Sequence, residues 1–385
     1  MSEEKRRILE MLEAGTISQK DAQRLLEALG ENLSQPAPMS EKPEQDVFEE
    51  AAQAVEPALE VPKEEKAAGE AEQAGGQAPP VESTAALALP LEENQYQQPV
   101  GGVVTQLKIE WWNGPVEIRP WEGDTIRVAE YSPRPLKDSE RMGIREKNGK
   151  LHIQWNENGM RFGSWRLKKH LVVELPTDAV LEEIRAENTS GSLCLAGISL
   201  GKGNLETTSG MVYCHGLRAE KMRVETTSGE VQMEGASVGE LRVETISGEQ
   251  RILEFAAQYF KGETVSGALT AIGNGEELKL STVSGPLTVQ VGQHPRKVKL
   301  ETVSGPVEAV LPEGEPGFTV EYSSLSGHFS SQFPLTGKLG KREGSAVSGS
   351  GGTQLHLETV SGSMGLCKGI VPPAAGSVEM GKGFP

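Results

Sequence analysis

The chain has no aspartate after Asp178, although it is 385 residues long. Polysaccharide-cleaving β-helix enzymes rely on clustered carboxylates, and calcium-binding β-rolls need an aspartate in every repeat. This absence argues against both classes. A polysaccharide-active β-helix enzyme stays open as an alternative, because glutamates could take the place of aspartates in catalysis.

Aromatic residues are also few, with 5 Trp, 5 Tyr and 8 Phe beside 45 Gly and 23 Pro. This composition indicates turns, linkers and small-residue repeats rather than the packed core of an α/β enzyme. Its 3 cysteines and 6 histidines are scattered without the short spacings of a disulfide framework or a zinc motif. We therefore expect no catalytic residue, no metal and no cofactor.

A signal peptide and a membrane span are both missing from the sequence pattern. The first residues, MSEEKRRILEMLEAG, are charged, and no later run approaches the roughly 18 apolar residues of a transmembrane helix. A cytoplasmic location is the expectation, with association to the cell envelope as an open possibility.

Negative charge is concentrated in one segment rather than spread over the chain. Residues 31–95 hold 15 acidic and 3 basic residues, whereas the whole chain has a net charge of −17. That segment is rich in Pro, Ala and Glu, which predicts a disordered acidic linker. The remainder is nearly balanced, so nucleic acid is not an expected partner.

The first 30 residues predict a small α-helical hairpin. Apolar residues recur at helical spacing on both sides of Gly15, and Ser18 is a suitable N-cap for the second helix. So short a hairpin must dock on another surface. We expect it to bind a protein partner, or a second copy of itself, through Ile8, Leu12, Leu25, Leu26 and Leu29.

From residue 186 onward the sequence repeats with a period near 19, which predicts a solenoid. Each repeat contains a Ser-Gly pair whose serines are Ser190, Ser209, Ser228, Ser247, Ser266, Ser284, Ser304, Ser326 and Ser361. The fold class expected is therefore mainly β: a single-stranded β-solenoid over residues 96–370, with an irregular Trp-rich first third and a flexible tail at 371–385. A Gly-rich insertion at 330–352 precedes the coil of Ser361, which we expect to close the solenoid.

Within a repeat, apolar residues alternate before and after the Ser-Gly pair, so each coil is a strand, a corner and a second short strand. Threonines two residues before the serine should point inward and bond to one another or to the corner. Glutamates three residues before the serine should face outward beside Arg or Lys, forming a mixed-charge solvated face rather than a metal site. Gln250 and Gly262 depart from the inward pattern without an evident reason.

All five tryptophans lie between residues 111 and 165. Trp111 and Trp155 occupy alternating apolar positions, so we expect them to plug the open end of the solenoid.

Residues 127–170 carry 11 basic and 5 acidic residues. Basic residues among aromatics suit an anionic envelope polymer or membrane surface. The candidate contacts are Arg161, Phe162, Trp165, Arg166, Lys168, Lys169, Trp112 and Trp121. Alternatively, this patch receives the acidic linker.

The T-x-S-G coils, the turns at Leu175-Pro176 and Leu311-Pro312, and the closing GSGGTQLHLETVSGSM resemble the bacterial putative-adhesin β-solenoid domain of unknown function over about residues 100–368. The N-terminal EEKRRILEMLEAGTISQKDAQRLLEAL resembles the SHOCT-like hairpin of envelope-stress proteins of the YvlB and LiaX kind. The resemblance implies a non-enzymatic binding or scaffold role in envelope stress sensing or adhesion. A self-assembling structural solenoid is a further alternative.

Overall fold

A computed structural model describes residues 104–156, 167–292, 295–314 and 317–369 with their side chains, and the backbone of residues 96–100. The chain divides into two units, Met1–Leu87 and Ala88–Pro385, and every described residue belongs to the second unit. The expected hairpin at 1–30, linker at 31–95 and tail at 371–385 lie outside the described residues.

The described part is almost entirely β-structure, and its 25 strands form one hydrogen-bonded sheet. A single 3-10 turn at Asp138–Glu140 is its only helical element. In chain order the first strands are β1 Tyr96–Val100, β2 Gln106–Asn113, β3 Val116–Trp121, β4 Ile126–Tyr131, β5 Gly143–Lys147, β6 Lys150–Gln154, β7 His170–Pro176, β8 Val180–Ser190 and β9 Leu193–Ala196. The central strands are β10 Ser199–Ser209, β11 Val212–His215, β12 Arg218–Ser228, β13 Val231–Glu234, β14 Ser237–Ser247, β15 Gln250–Ser266, β16 Leu269–Ser284, β17 Leu287–Val291 and β18 Lys297–Ser304. The last are β19 Val307–Pro312, β20 Gly317–Ser324, β21 Phe329–Ser331, β22 Thr336–Leu339, β23 Glu343–Gly349, β24 Thr353–Ser361 and β25 Met364–Gly369.

Each coil contributes a long strand before its corner and a short strand after it. The long strands pair in parallel from β8 through β10, β12 and β14, and the short strands pair from β9 through β11 and β13. β15 and β16 each run through both ladders. The register places each corner serine on the next, as Ser209 beside Ser228 and Ser228 beside Ser247. The expected solenoid-like, mainly β fold is confirmed.

The corner glycines allow the coils to stack closely. Gly210 and Gly248 have φ angles of 147° and 155°, a region that favours glycine. A Cβ on Gly248 would lie 2.0 Å from the carbonyl oxygen of Gly229 in the preceding coil. The Ser-Gly corner is therefore required by contact between coils as well as by the turn itself.

The irregular first third contains two further coils that the repeat does not reveal. β2 and β3 form one coil, whose Asn113 takes the register position of Ser190. β6 and β7 form the other. These two coils stack in the reverse of their order along the chain, because β2 lies between β6 and β8.

The expectation that the coil of Ser361 closes the solenoid is wrong. Ser361 pairs directly with Ser304, and the coil of β20 and β21, which carries Ser326, stacks outside it. The reason is β23, which runs back antiparallel along β20. This return brings β24 into the space between β18 and β20.

Antiparallel strands flank the parallel ladders. At the first end β5 pairs with β6, and β1 and β4 extend the ladder from β7. At the far end β23 and β22 extend it from β20. These strands replace the exposed edge of a parallel coil with a hairpin, which limits edge-to-edge pairing between molecules.

The core lies between the two ladders and is built from inward residues of every coil, such as Leu205, Val224 and Val243, which are fully buried. The inward threonines are buried as expected, but the expectation that their hydroxyls bond to one another or to the corner is wrong. Among the described residues, no hydrogen bond is made by the Oγ1 atoms of Thr207, Thr226, Thr245, Thr264, Thr282, Thr302 and Thr359.

The structure shows the surroundings of Gln250 and Gly262, the two departures from the inward pattern. The Gln250 side chain is fully buried, and its Nε2 donates to the backbone oxygen of Glu263 at 2.6 Å. Gly262 stands beside that oxygen, and a Cβ there would lie 2.9 Å from the side chain of Leu280. The side chains of Leu280, Leu269 and Phe260 thus surround Gly262 and leave little room for a larger residue.

Candidate functional site

The solvent side of the long-strand ladder carries two columns of charge. Bases occupy most of one column and glutamates most of the next, with Asn204 and Ser281 as the exceptions, and the register keeps both columns in line from coil to coil. Ion pairs form within single strands, as Arg185 with Glu187 at 2.8 Å and Lys261 with Glu263 at 2.7 Å. The expected mixed-charge face is confirmed.

The glutamates differ in pKa along this column. A hydrogen bond from Lys108, with a further contribution from His152, lowers the pKa of Glu110. Burial raises the pKa of Glu225, and the neighbouring glutamates add to this effect. In the described part of the chain, no group of three or more His, Cys, Asp or Glu side chains is arranged to hold a metal ion.

The pairing of charges stops at the first end of the solenoid. The register places Gln154 beside Glu110, so no glutamate follows Glu110 in the acidic column. The basic column continues through His152 to Arg145. Among the described residues the exposed Arg145, Lys147 and Lys150 form no ion pair. We call these three residues the end patch.

A tight turn presents the end patch. Asn148 and Gly149 join β5 to β6 with φ angles of 53° and 74°, and positive φ at both positions is typical of a type I′ hairpin turn. The turn places Lys147 opposite Lys150, and Arg145 opposite His152. Glu146 pairs in register with the inward Leu151. Its side chain therefore leaves the strand on the opposite face from those of Arg145 and Lys147.

Beneath this end, Trp111 and Trp155 are buried with their ring centroids 4.8 Å apart, edge to face. The expectation that they plug the solenoid is confirmed. The Trp111 Nε1 donates to the backbone oxygen of Lys169 at 3.0 Å. This bond fixes the start of β7 against β2.

The interpretation of Lys169 as a surface contact is wrong, because its side chain is fully buried. The Nζ donates to Glu130 Oε2 and to the backbone oxygen of Glu140, each at 2.9 Å, and to that of Trp155 at 2.5 Å. The same Nζ lies 4.3 Å from the ring centroid of Trp155. A lysine inside the core needs such partners, since an unpaired buried charge is very costly.

The other sequence-predicted contacts are less concentrated than expected. Lys168 is exposed, whereas Trp112 is half-buried against the core. Trp121 is half-buried, and Arg127 stacks over its ring at 3.4 Å from the centroid. The remaining candidates lie outside the described residues: Arg161, Phe162, Trp165, Arg166 and the hairpin residues Ile8, Leu12, Leu25, Leu26 and Leu29.

The cysteine and histidine of β11 lie on opposite sides of the strand. Cys214 is fully buried, and burial raises the pKa of its thiol, whereas His215 is exposed. A buried thiol whose pKa is raised is a poor nucleophile, so the environment of Cys214 fits a structural residue.

Sequence reasoning missed a cleft of about 440 Å³ at the far end of the solenoid. Phe318 and Phe333 meet edge to face there with centroids 5.1 Å apart. The Nζ of Lys368 lies 5.6 Å from the ring centroid of Phe333. The signal was weak, because these residues fall outside the regular repeat pattern.

The Toastrack DUF4097 family model matches residues 104–366. The chain belongs to the DUF4097 family. The Toastrack match begins just before β2 and ends within β25, so it includes both inverted ends as well as the regular coils. No curated protein is significantly similar in sequence to this chain.

Several solved structures of bacterial proteins are similar to this Toastrack chain. They include a "putative adhesin" from Bacteroides fragilis, 10% identical, covering 72% of this chain and 98% of its own, with a TM-score of 0.39. A "putative lipid binding protein" from Parabacteroides distasonis is 10% identical over 72% and 98% of the two chains, with a TM-score of 0.43. A "putative adhesin" from the same species is 12% identical over 71% and 98%, with a TM-score of 0.37. Within the described residues, no helix has the length and apolar character of a membrane span.

Proposed function

We propose that this Toastrack protein is a non-enzymatic binding protein of bacterial cell-envelope stress, which holds an anionic envelope surface against the first end of its solenoid. The end patch carries this proposal. Along the ladder most bases pair with glutamates, whereas Arg145, Lys147 and Lys150 lie together, all exposed and without an ion pair among the described residues. Unbalanced surface charge of one sign attracts the opposite sign.

The end patch of a single molecule attracts an anionic surface too weakly for tight binding, so the proposal needs several molecules to act together. Each base contributes about 1 kcal/mol near an anionic surface, so three contribute about 3 kcal/mol. A dissociation constant of 1 mM corresponds to about −4.1 kcal/mol, so one end patch alone binds only weakly. Several copies acting together bind much more tightly. We therefore assign the N-terminal hairpin, through Ile8, Leu12, Leu25, Leu26 and Leu29, the role of an oligomerisation or docking element.

A vesicle experiment tests the ligand class. The full chain should sediment with vesicles that contain phosphatidylglycerol and stay in solution with phosphatidylcholine alone, and the binding should weaken as salt rises. Replacing Arg145, Lys147 and Lys150 by Gln should abolish this binding. Soluble polyphosphate added as a competitor distinguishes an anionic polymer from a lipid headgroup.

The far end of the solenoid offers a matched control. Lys338, Lys341 and Arg342 are three exposed bases around the β22–β23 hairpin. Replacing them by Gln removes the same charge at the opposite end and should leave vesicle binding in place. Equal loss of binding in both triple variants would contradict a localised site and indicate attraction by overall charge.

The acidic segment 31–95 is a second occupant to test, since its charge is opposite to that of the end patch. If it covers the patch, deleting residues 31–95 should strengthen vesicle binding.

The role of the hairpin is tested by deleting residues 1–30 and measuring the mass by light scattering. Unchanged mass with unchanged binding would count against oligomerisation.

A further inference from the structure

The buried cluster around Lys169 contains the parts of an amide-forming reaction. Lys169 Nζ lies 2.9 Å from Glu130 Oε2, and both side chains are fully buried. Asn156 is also buried, and a terminal atom of its amide lies 3.5 Å from the same Nζ. The amine therefore lies close to both a carboxyl group and an amide, and all three residues are buried beside Trp111 and Trp155.

The orientation of the Asn156 amide does not alter this proximity. Turned so that its nitrogen faces the backbone oxygens of Trp155 and Glu140, the amide donates to them at 2.7 and 2.9 Å. Either oxygen or nitrogen then occupies the position 3.5 Å from Lys169 Nζ, and both atoms are bonded to the same carbon, Cγ. The electrophilic carbon is thus one bond from the atom that approaches the amine.

We propose that Lys169 and Asn156 form an intramolecular isopeptide bond, with Glu130 as the proton carrier. The Nζ lone pair bonds to Asn156 Cγ, and the bond from Cγ to the side-chain nitrogen breaks. Glu130 passes one proton from Nζ to the departing nitrogen, which leaves as ammonia. Glu130 ends in the protonation state in which it began, and the step needs no oxidant, reductant or other co-reactant.

The directions of the two pKa shifts favour this step. Burial lowers the pKa of Lys169 and raises the pKa of Glu130, although their mutual attraction opposes both shifts. Both directions increase the share of the pair present as neutral amine and neutral acid. A neutral amine is the nucleophile, and a desolvated site is one way in which proteins produce it. A neutral acid can donate a hydrogen bond to the amide oxygen.

The bond would tie together the residues on either side of the segment 157–166. That segment carries Arg161, Phe162, Trp165 and Arg166, four of the contacts predicted from the sequence. The link would fix the spacing of the segment's two flanks without occupying any surface residue. The proposal is independent of the anionic ligand, so either can fail without the other.

Intact-mass measurement of the full chain tests the proposal directly. The chain should be about 17 Da lighter than its sequence, which is the mass of ammonia. Trypsin should then release a branched peptide that joins residues 151–161 to residues 169–185, because an acylated Lys169 resists cleavage. Full sequence mass together with a free peptide 170–185 would overturn the proposal, leaving a static ion pair. A loss of about 18 Da with the branch at Glu130 would overturn the assignment of Asn156.

Single substitutions test the separate roles of Lys169, Asn156 and Glu130 in forming the bond. Lys169→Arg, Asn156→Ala and Glu130→Gln should each have their full sequence mass. Asn156→Asp should lose about 18 Da instead, since water leaves in place of ammonia. Lys168→Arg is the matched control, because it changes the adjacent exposed lysine and should keep the loss of about 17 Da. Retention of the loss in Lys169→Arg would contradict the proposal.

Discussion

The middle coils and the two ends of this solenoid are held together in different ways. In the middle, the coils share the same alternation of inward and outward residues, the same corner glycine and the same register. At the ends, strands run antiparallel, coils stack out of chain order, and single residues such as Lys169 make contacts that no other coil has. A repeat can extend a solenoid, but its ends must be closed by residues that do not repeat.

The strongest way to break the first end is Lys169→Met. In the Asn156→Ala background, where Lys169 stays an unlinked amine, it leaves Glu130 buried without its charged partner, and such losses cost about 3–5 kcal/mol of the free energy of unfolding. Urea denaturation followed by tryptophan fluorescence reports on this end, because all five tryptophans lie between residues 111 and 165. Lys168→Met, which changes an exposed neighbour, should alter the free energy by only about 0.5 kcal/mol or less.

The same variant should respond to pH with a predictable sign. The pKa of Glu130 is raised in the folded chain by burial, so folding favours its protonated form. In Lys169→Met that preference grows, and the stability deficit should shrink as pH falls and the carboxyl takes up a proton. A deficit that stays constant from pH 7 to the acid limit of folding would contradict this account.

In the middle coils, Gly248→Ala should be the most damaging small change. Its new Cβ would lie 2.0 Å from the carbonyl oxygen of Gly229, and its φ of 155° disfavours a side chain. We expect a loss of about 2–4 kcal/mol, measured by urea denaturation followed by far-ultraviolet circular dichroism. Gly365→Ala is the control, because the nearest atom to its Cβ is 4.0 Å away. Similar losses in the two variants would show that stacking at the corner is not the cause.

A smaller effect, of opposite sign, is expected at the turn that follows the short strand of a coil, where Gly235 follows β13. Gly235 has a φ of 63°, and Glu254 in the next coil has a φ of 51°, which is strained for a residue with a Cβ. Glu254→Gly should stabilise the chain by about 1 kcal/mol, and Gly235→Ala should destabilise it by about the same amount. Thermal unfolding of both variants checks this pair, and a destabilised Glu254→Gly would show that its side chain has another role.

The charge columns should contribute least. Arg223 pairs with Glu244 at 3.2 Å across adjacent coils, but its side chain is partly exposed. Arg223→Gln should therefore cost less than about 1 kcal/mol, and less still in high salt. A loss comparable to that of Gly248→Ala would mean that the columns, rather than the corners, hold the coils together.

The regular coils could be predicted from the sequence because each inward, outward and corner position recurs about every 19 residues. Ser209 and Ser228, for example, sit in register because their whole coils are alike. Gln250 broke the pattern and could be explained only from the structure, since its partner is a backbone oxygen beside Gly262.

The site at the first end could be predicted only in part. Charge counting located an excess of bases in residues 127–170, but it could not tell the buried Lys169 from the exposed Lys150. The difference depends on Glu130, which is distant in sequence and meets Lys169 only because β4 pairs antiparallel with β7. Antiparallel end strands, and coils that stack out of chain order, leave no periodic pattern in the sequence from which they could be predicted.

Disulfide trapping would test most directly the claim that the ends are not stacked in chain order. Ser304 and Ser361 are exposed register partners in adjacent coils, whereas Ser326 lies in the coil beyond, where its backbone nitrogen donates to the oxygen of Val360. Adjacent strands lie about 4.8 Å apart, which is within reach of a disulfide. The account predicts rapid oxidation of the Ser304→Cys, Ser361→Cys variant and none between cysteines at 304 and 326. Efficient cross-linking of 304 to 326 instead would contradict the account, because it would mean that the coils follow chain order.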